Sequence, residues 1–138
     1  MLISRPRDAI VLQGRSVTFI CETDGREPVN WIQRPLTSHI HKGIFIAGVT
    51  IESVRNKFSI KMDGKELILN TALLSDSGIY TCIDNLGLGE EASAELIVLG
   101  KDIIRDQYKN RIFNVNGHNV SLKHIYITTV VFTEFSDK

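Results

Sequence analysis

Leu67-Ile68-Leu69-Asn70-Thr71-Ala72-Leu73-Leu74-Ser75-Asp76-Ser77-Gly78-Ile79-Tyr80-Thr81-Cys82 is the stretch that decides the architecture. Leu67 and Leu69 have the period-two spacing of a strand with one buried face. Ala72-x-Leu74-x-Asp76 carries that spacing through a corner, and Tyr80-x-Cys82 leaves it. The same period recurs at Val17, Phe19 and Cys21, at Val29, Trp31 and Gln33, and at Ala94, Leu96 and Val98. The inward set is therefore expected to be Val17, Phe19, Cys21, Trp31, Leu67, Leu69, Leu74, Tyr80, Cys82, Leu96 and Val98. No long 3.6-residue periodicity appears between 10 and 99. Several short strands with turn signals at close intervals predict an all-β, two-sheet antiparallel sandwich.

The turn signals place the elements. Residues 2–12 are expected to form a first edge strand, with Pro6 tolerated because an edge can spare a donor. Gly14, then Asp24-Gly25 with Pro28, then Arg34-Pro35 punctuate the next strands. Residues 36–56 are less legible, and one or two short edge strands are expected there from Ile44, Phe45, Ile46, Val49, Ile51 and Val54. Asp63-Gly64 is a hairpin signal. Asn85-Leu86-Gly87-Leu88-Gly89 reads as the last hairpin loop.

Composition limits the function classes. The chain has 138 residues, enough for one sandwich of roughly 100 residues with about 40 to spare. Sixteen basic and sixteen acidic residues give a formal net charge of zero, so no basic field exists to attract nucleic acid or anionic lipid. No stretch reaches the ~18 apolar residues of a membrane helix, so no membrane insertion is expected within this chain. Two cysteines suit one disulfide and allow only one internal pairing. They do not suit a structural zinc site, which takes four closely spaced ligands. An oxidising compartment is favoured. Met1-Leu2-Ile3-Ser4-Arg5-Pro6 does not read as a signal peptide. The chain is expected to be a piece of a longer secreted or cell-surface protein, with a cytoplasmic location as the alternative.

These residues resemble an immunoglobulin-superfamily domain over residues 1–99, closest to the intermediate or I-type set. Gly14-x-x-Val17-x-Phe19-x-Cys21 is similar to the start of strand B. Leu67 to Cys82, with its Asp76-x-Gly78-x-Tyr80-x-Cys82 ending, is similar to strands E and F. Leu86-Gly87 followed by Ala94-x-Leu96-x-Val98 is similar to the F–G turn and strand G. The resemblance implies a Greek-key sandwich. It implies that Cys21 and Cys82 tie the two sheets, that Trp31 packs on the bridge and that Tyr80 sets the corner between strands E and F. It also implies a cation beside Asp76, for which Lys57 is the better-placed residue and Arg55 the runner-up. One feature adds variable-set character: 61 positions separate the cysteines, leaving room for an extra C′-type strand. Conversely, the ten positions from Cys21 to Trp31 make a short B–C loop, which tells against an antibody-like site on a long first loop.

No catalytic or cofactor motif is present. Ser77 stands in a structural corner and lacks a Gly-x-Ser-x-Gly elbow. His39-Ile40-His41 places two imidazoles on one face of an expected strand, but no further ligand stands beside them at metal spacing, and they read as solvated edge residues. Asp84, Glu90 and Glu91 read as solvated loop charges. Asn119-Val120-Ser121 is a glycosylation acceptor. Residues 100–138 form a tail, expected to be only partly ordered. Gly117-x-x-Val120-x-Leu122-x-His124 repeats the strand-B spacing with His124 in the place of a cysteine. It reads either as the truncated start of a second immunoglobulin-like unit or as chance alternation. The tail's apolar residues, among them Ile103, Ile104, Ile125, Ile127 and Phe132, must dock on the first domain, pair with another chain or stay loosely ordered.

The expected function is non-enzymatic protein recognition in an adhesion or receptor-type protein. The expected partners are other immunoglobulin-superfamily or cell-surface proteins, a second copy included. The alternative is an intracellular structural module of a muscle or cytoskeletal giant protein. Two contact surfaces are expected: the C′ edge at Ile44, Phe45 and Ile46, and the F–G loop at Asn85 and Leu86.

Overall fold

Alternating burial along the strands separates two sheets. The computed structural model describes residues 1–100 and three strands beyond them. In chain order the strands are β1 (Leu2–Ser4), β2 (Ala9–Leu12), β3 (Val17–Ile20), β4 (Glu22–Thr23), β5 (Asn30–Pro35), β6 (Lys42–Ile46), β7 (Val49–Thr50), β8 (Phe58–Lys61), β9 (Glu66–Leu69), β10 (Gly78–Ile83), β11 (Glu91–Leu99), β12 (Ile112–Val115), β13 (His118–Ser121) and β14 (Ser136–Asp137). One layer runs β3-β9-β8 and is prolonged by the β1-β4 pair, since only Cys21 separates β3 from β4. The other runs β2-β11-β10-β5-β6-β7. The pairs are antiparallel except β2 with β11, which is parallel. Strands β12, β13 and β14 form a separate antiparallel sheet in which Asn114 stands opposite Asn119.

The core lies where the two layers face. Val17 and Phe19 of β3 stand opposite Leu69 and Leu67 of β9, and all four are buried. Trp31 and Cys82 are register partners across β5 and β10, so the indole lies beside the Cys21–Cys82 disulfide. The Cα atoms of that bridge are 6.5 Å apart. Phe19 stacks on Tyr80 with ring centroids 5.0 Å apart, a favourable offset contact for two large buried rings. Tyr80 Oη donates to the Asp76 carbonyl at 2.8 Å and closes the corner between β9 and β10. Burial first, and the Asp76 charge second, push the Tyr80 phenol well above its ordinary pKa, so it stays a donor.

Four expectations need correction. The strand expected over 2–12 is broken at Pro6. β1 pairs with β4 and β2 pairs with β11, because a proline supplies no N–H and restricts the residue before it. Leu74 is not core: it opens a single 3-10 turn, Leu74–Asp76, and is 43% exposed, while Ala72 takes the buried place. The turn breaks the parity that the strand spacing implied. Asp76 faces inward there instead, accepting from the Leu73 N–H at 2.8 Å and pairing with Lys57 Nζ at 2.9 Å. Ile44 and Phe45 do not form an exposed edge. The register between β5 and β6 passes from Trp31 opposite Phe45 to Ile32 opposite Gly43, and Ile44 is the extra residue. That bulge turns consecutive side chains inward, and Ile44 and Phe45 are 2% and 6% exposed, with Ile46 half-buried. Finally, His39 and His41 are exposed but lie in the loop before β6, not on a strand.

Gly117, Leu122 and His124, on which the second-unit reading of the tail rests, lie outside the described residues, as do Ile103, Ile104, Ile125, Ile127 and Phe132.

Gly64 shows how closely one turn is fitted to the core. Its carbonyl accepts the Trp31 indole N–H at 2.5 Å. Its φ is +91°, and an added Cβ would overlap the Val29 carbonyl oxygen. Gly14 has a similar φ of +93° with nothing within 4 Å of the added carbon. Gly14→Ala is therefore expected to cost about 1 kcal/mol from backbone strain alone, and Gly64→Ala about 3 kcal/mol or more from strain plus displaced backbone. Urea unfolding of the two variants checks the difference, and equal losses would contradict the fitted turn.

Candidate recognition surface

At one end of the sandwich the segments joining β4 to β5, β6 to β7, β8 to β9 and β10 to β11 are tied together by buried polar side chains. Asn30, at the start of β5, is 7% exposed, and its Oδ1 accepts the Ala47 N–H at 3.0 Å. On its other side, a Cβ on Gly87 would fall 2.7 Å from Asn30 Nδ2, and Gly87 has φ +87°. Only glycine fits that approach. The Val29 N–H donates to the Asp63 carbonyl at 2.9 Å, and the Leu86 N–H to the Pro28 carbonyl at 3.2 Å.

The turn Asp84–Gly87 has an unusual backbone. Asn85 and Leu86 have φ of 51° and 56°. Asparagine tolerates the left-handed region, and a leucine there marks a conformation imposed by its surroundings. Asp84 supplies much of that constraint. It is 3% exposed, accepts from the Thr23 hydroxyl at 2.8 Å and the Asn85 N–H at 2.7 Å, and meets the Met1 ammonium at 2.5 Å. Burial pushes its carboxyl pKa upward, but the bonds from the Met1 ammonium, Thr23 and Asn85 outweigh burial and hold it below the usual value. Glu90 closes the turn from the other side. It takes the Leu2 N–H at 3.0 Å and the Arg5 guanidinium at 2.7 Å. The Leu2 bond is the largest reason that its pKa is also lowered.

Asp84 and Glu90 are thus joints between the chain start and the β10–β11 turn, not solvated charges. Asn85 apart, their partners lie 61 to 88 positions away in sequence, and no local pattern announces them. Asn85 is exposed, Leu86 is 39% exposed and Leu88 is 85% exposed. Met62 and Val49, from the neighbouring turn and strand, are exposed as well. The result is an apolar loop tip held by internal hydrogen bonds. Ser77 Oγ is engaged by the Val98 N–H at 2.9 Å. Among the described residues no cluster of three or more His, Cys, Asp or Glu could hold a metal ion, and no helix is long and apolar enough to cross a membrane.

The immunoglobulin I-set domain profile matches residues 1–98. The chain belongs to the immunoglobulin I-set family. It is 33% identical to chicken (Gallus gallus) sidekick-2 over 105 residues, which is 73% of this chain and 4% of sidekick-2. It is 29% identical to human (Homo sapiens) hemicentin-1 over 126 residues, 91% of this chain and 2% of hemicentin-1. The I-set chain therefore spans only a few hundredths of the length of these relatives. Among solved structures, the titin M10–obscurin-like 1 immunoglobulin complex aligns with a TM-score of 0.53 at 22% identity, over 75% of this chain and 96% of the matched one. The tandem immunoglobulin repeats of Dlar align at 0.54 and 17% identity, over 72% of this chain and 48% of that one. These two likenesses establish the fold.

The charges that hold the I-set loop tip define a pH window. A carboxyl with a lowered pKa stabilises the fold fully above its ordinary unfolded value, about 4, and loses that contribution as pH falls. The melting temperature is expected to be flat above about pH 5 and to fall below it, as the Asp84 and Glu90 carboxylates protonate. Asp84→Asn should lower the plateau and flatten the acid slope. An unchanged acid slope in thermal melts of the variant would contradict these joints.

Proposed function

We propose that this I-set domain is a non-enzymatic recognition module of an extracellular, multi-domain adhesion or receptor-type protein, and that it meets its partner through the β10–β11 loop tip. The observation that carries the reading is Leu88, 85% exposed beside a left-handed Leu86 on a turn braced by Asp84 and Glu90. A tip fixed before binding loses little conformational entropy on contact, and its exposed leucines supply apolar surface that a partner can cover. Asn85 adds a polar group at its rim. Burial removes Ile44 and Phe45 from this role and leaves Ile46 half-buried on the C′ side.

Several observations support the extracellular setting. The domain is bridged by Cys21–Cys82, and disulfides persist in oxidising compartments. Sidekick-2 and hemicentin-1, to which the chain is similar, are many times its length, as a multi-domain protein would be. The Asn119-Val120-Ser121 acceptor lies at strand β13 and fits glycosylation in that setting. Zero net charge favours a protein partner over nucleic acid. The partner class is another immunoglobulin-superfamily or cell-surface protein, a second copy of this chain included.

Tetramers of the chain, added to cells that display immunoglobulin-superfamily ectodomains and this chain itself, test the reading. Leu88→Asp is expected to weaken the strongest binding at least about tenfold, the usual effect of disrupting an interface anchor, with little change in melting temperature. Ile40→Asp, on the exposed loop before β6, should leave it intact. Equal binding by Leu88→Asp, or loss in Ile40→Asp instead, would overturn the choice of surface.

A further inference from the structure

The six-stranded sheet carries isoleucines on the face turned away from the core. Tyr80 and Cys82 of β10 belong to the core, so Ile79, Thr81 and Ile83 point outward. Trp31 of β5 is also core, and Ile32 and Arg34 share the outward face by the same alternation. Past the bulge in β6, Ile46 joins them. Ile46 and Ile51 both lie over Gly43, the register partner of Ile32: a Cβ there would fall 3.2 Å from Ile46 Cγ1 and 3.4 Å from Ile51 Cγ1. Ile32, Ile46, Ile51, Ile79 and Ile83 are half-buried, and none belongs to the core cluster or packs against it. A sheet that faces water alternates apolar-in with polar-out. The other layer interrupts its outward Ile20 and Ile68 with Thr18, Lys61 and Glu66, whereas here the isoleucines of β10, β5 and β6 stand side by side.

The polar groups of this face match a second copy of the same face. Strand register sets them in rows across β11, β10 and β5. Glu95, Ile79 and Arg34 form one row, Ser93, Thr81 and Ile32 the next, and Glu91, Ile83 and Asn30 the third. β10 is thus a mainly apolar column with acids on one flank and Arg34 on the other. A two-fold axis along β10 turns a second copy over, so that its β5 lies against the first copy's β11. Arg34 of each copy then meets Glu95 of the other, Ile32 meets Ser93, and Ile79 and Ile83 meet their own counterparts. An axis along β5 would set Arg34 against Arg34. An axis across the strands would set Glu91 against Glu95. A guanidinium offers several N–H groups and a carboxylate several lone pairs, so the pairing adds to bonds that these side chains already make, such as Arg34 Nη1 to the Ser38 carbonyl at 3.0 Å. The Thr81 and Ser93 hydroxyl oxygens are hydrogen-bonded to each other at 2.7 Å, so covering that row leaves neither unbonded.

We propose that two copies of this chain associate through the outer face of β11, β10, β5 and β6, about a two-fold axis along β10, with an Arg34–Glu95 pair on each side of the isoleucine column. The contact is isologous and closes on itself. Because the axis runs along the strands, both β10–β11 tips stand at the same end of the dimer. The inference stands whether or not that tip binds a partner, because it uses a different surface.

Sedimentation equilibrium of the full chain tests it. A dimer is expected as the concentration rises to about 0.5 mM, the range of a contact of modest area. Arg34→Glu and Glu95→Arg should each weaken self-association at least about tenfold, because two like-charged pairs then face each other. An equimolar mixture of these two variants should recover it, since both pairs of the mixed dimer again join opposite charges. Leu88→Asp should leave the dimer intact. Should either charge variant fail to fold, Ser93→Lys, at an exposed position of the same face, should weaken the dimer likewise without lowering the melting temperature. A chain that stays monomeric throughout would overturn the proposal. So would a dimer that the face variants leave unchanged, or a mixture of the two charge variants that stays monomeric. Loss of the dimer in Leu88→Asp would also overturn it, moving the self-contact to the loop tip.

Discussion

The Cys21–Cys82 bridge fixes how two sheets with few other covalent ties face each other. It closes a loop of 61 positions, and constraint of the unfolded chain by such a loop is worth about 4 kcal/mol in the chain-entropy account. The neighbouring groups are arranged around it. Trp31, register partner of Cys82, fills the space beside the sulfurs and sends its N–H to Gly64 on the opposite layer. Tyr80, two residues before Cys82, stacks on Phe19 and binds back to Asp76. Disulfide, indole and phenol therefore join both sheets and two turns in one contiguous packing unit.

From that unit the constraint spreads to the loops. Gly64 couples the core to the β8–β9 turn, because its carbonyl takes the Trp31 N–H and the Val29 carbonyl and Phe45 ring leave no room for a side chain there. Asn30, next to Trp31, couples it to the β6–β7 and β10–β11 turns. Asp84 and Glu90 then fasten the β10–β11 turn to the chain start. The exposed Leu86 and Leu88 stand at the end of this sequence of fixed parts. The β10–β11 loop tip is thus braced by the buried Asn30 and Asp84 and by the Leu86–Pro28 backbone bond.

What was legible in the amino-acid sequence was whatever strand periodicity and local turn chemistry encode. Val17, Phe19, Leu67, Leu69, Leu96 and Val98 are buried because strict alternation puts them on one face. What escaped depended on departures from alternation or on distance. A single 3-10 turn moved Leu74 outward and Asp76 inward. One extra residue in β6 carried both Ile44 and Phe45 into the core, and no local signal marks which residue of Gly43-Ile44-Phe45-Ile46 is the bulge. Asp84 looked like an ordinary loop acid, since Thr23 and Met1 reach it only after both sheets have formed. The loop surface at Asn85 and Leu86 was legible as a hairpin, but its left-handed backbone was not.

A bridge formed in the working protein places an I-set domain with this core in an oxidising compartment. Counting thiols on material isolated from its native source, denatured without reductant in the presence of an alkylating reagent, tests this directly. The predicted result is no alkylated cysteine and a mass two hydrogens below that of the reduced chain. Two alkylated cysteines, Cys21 and Cys82, would contradict it and favour a reducing, intracellular setting.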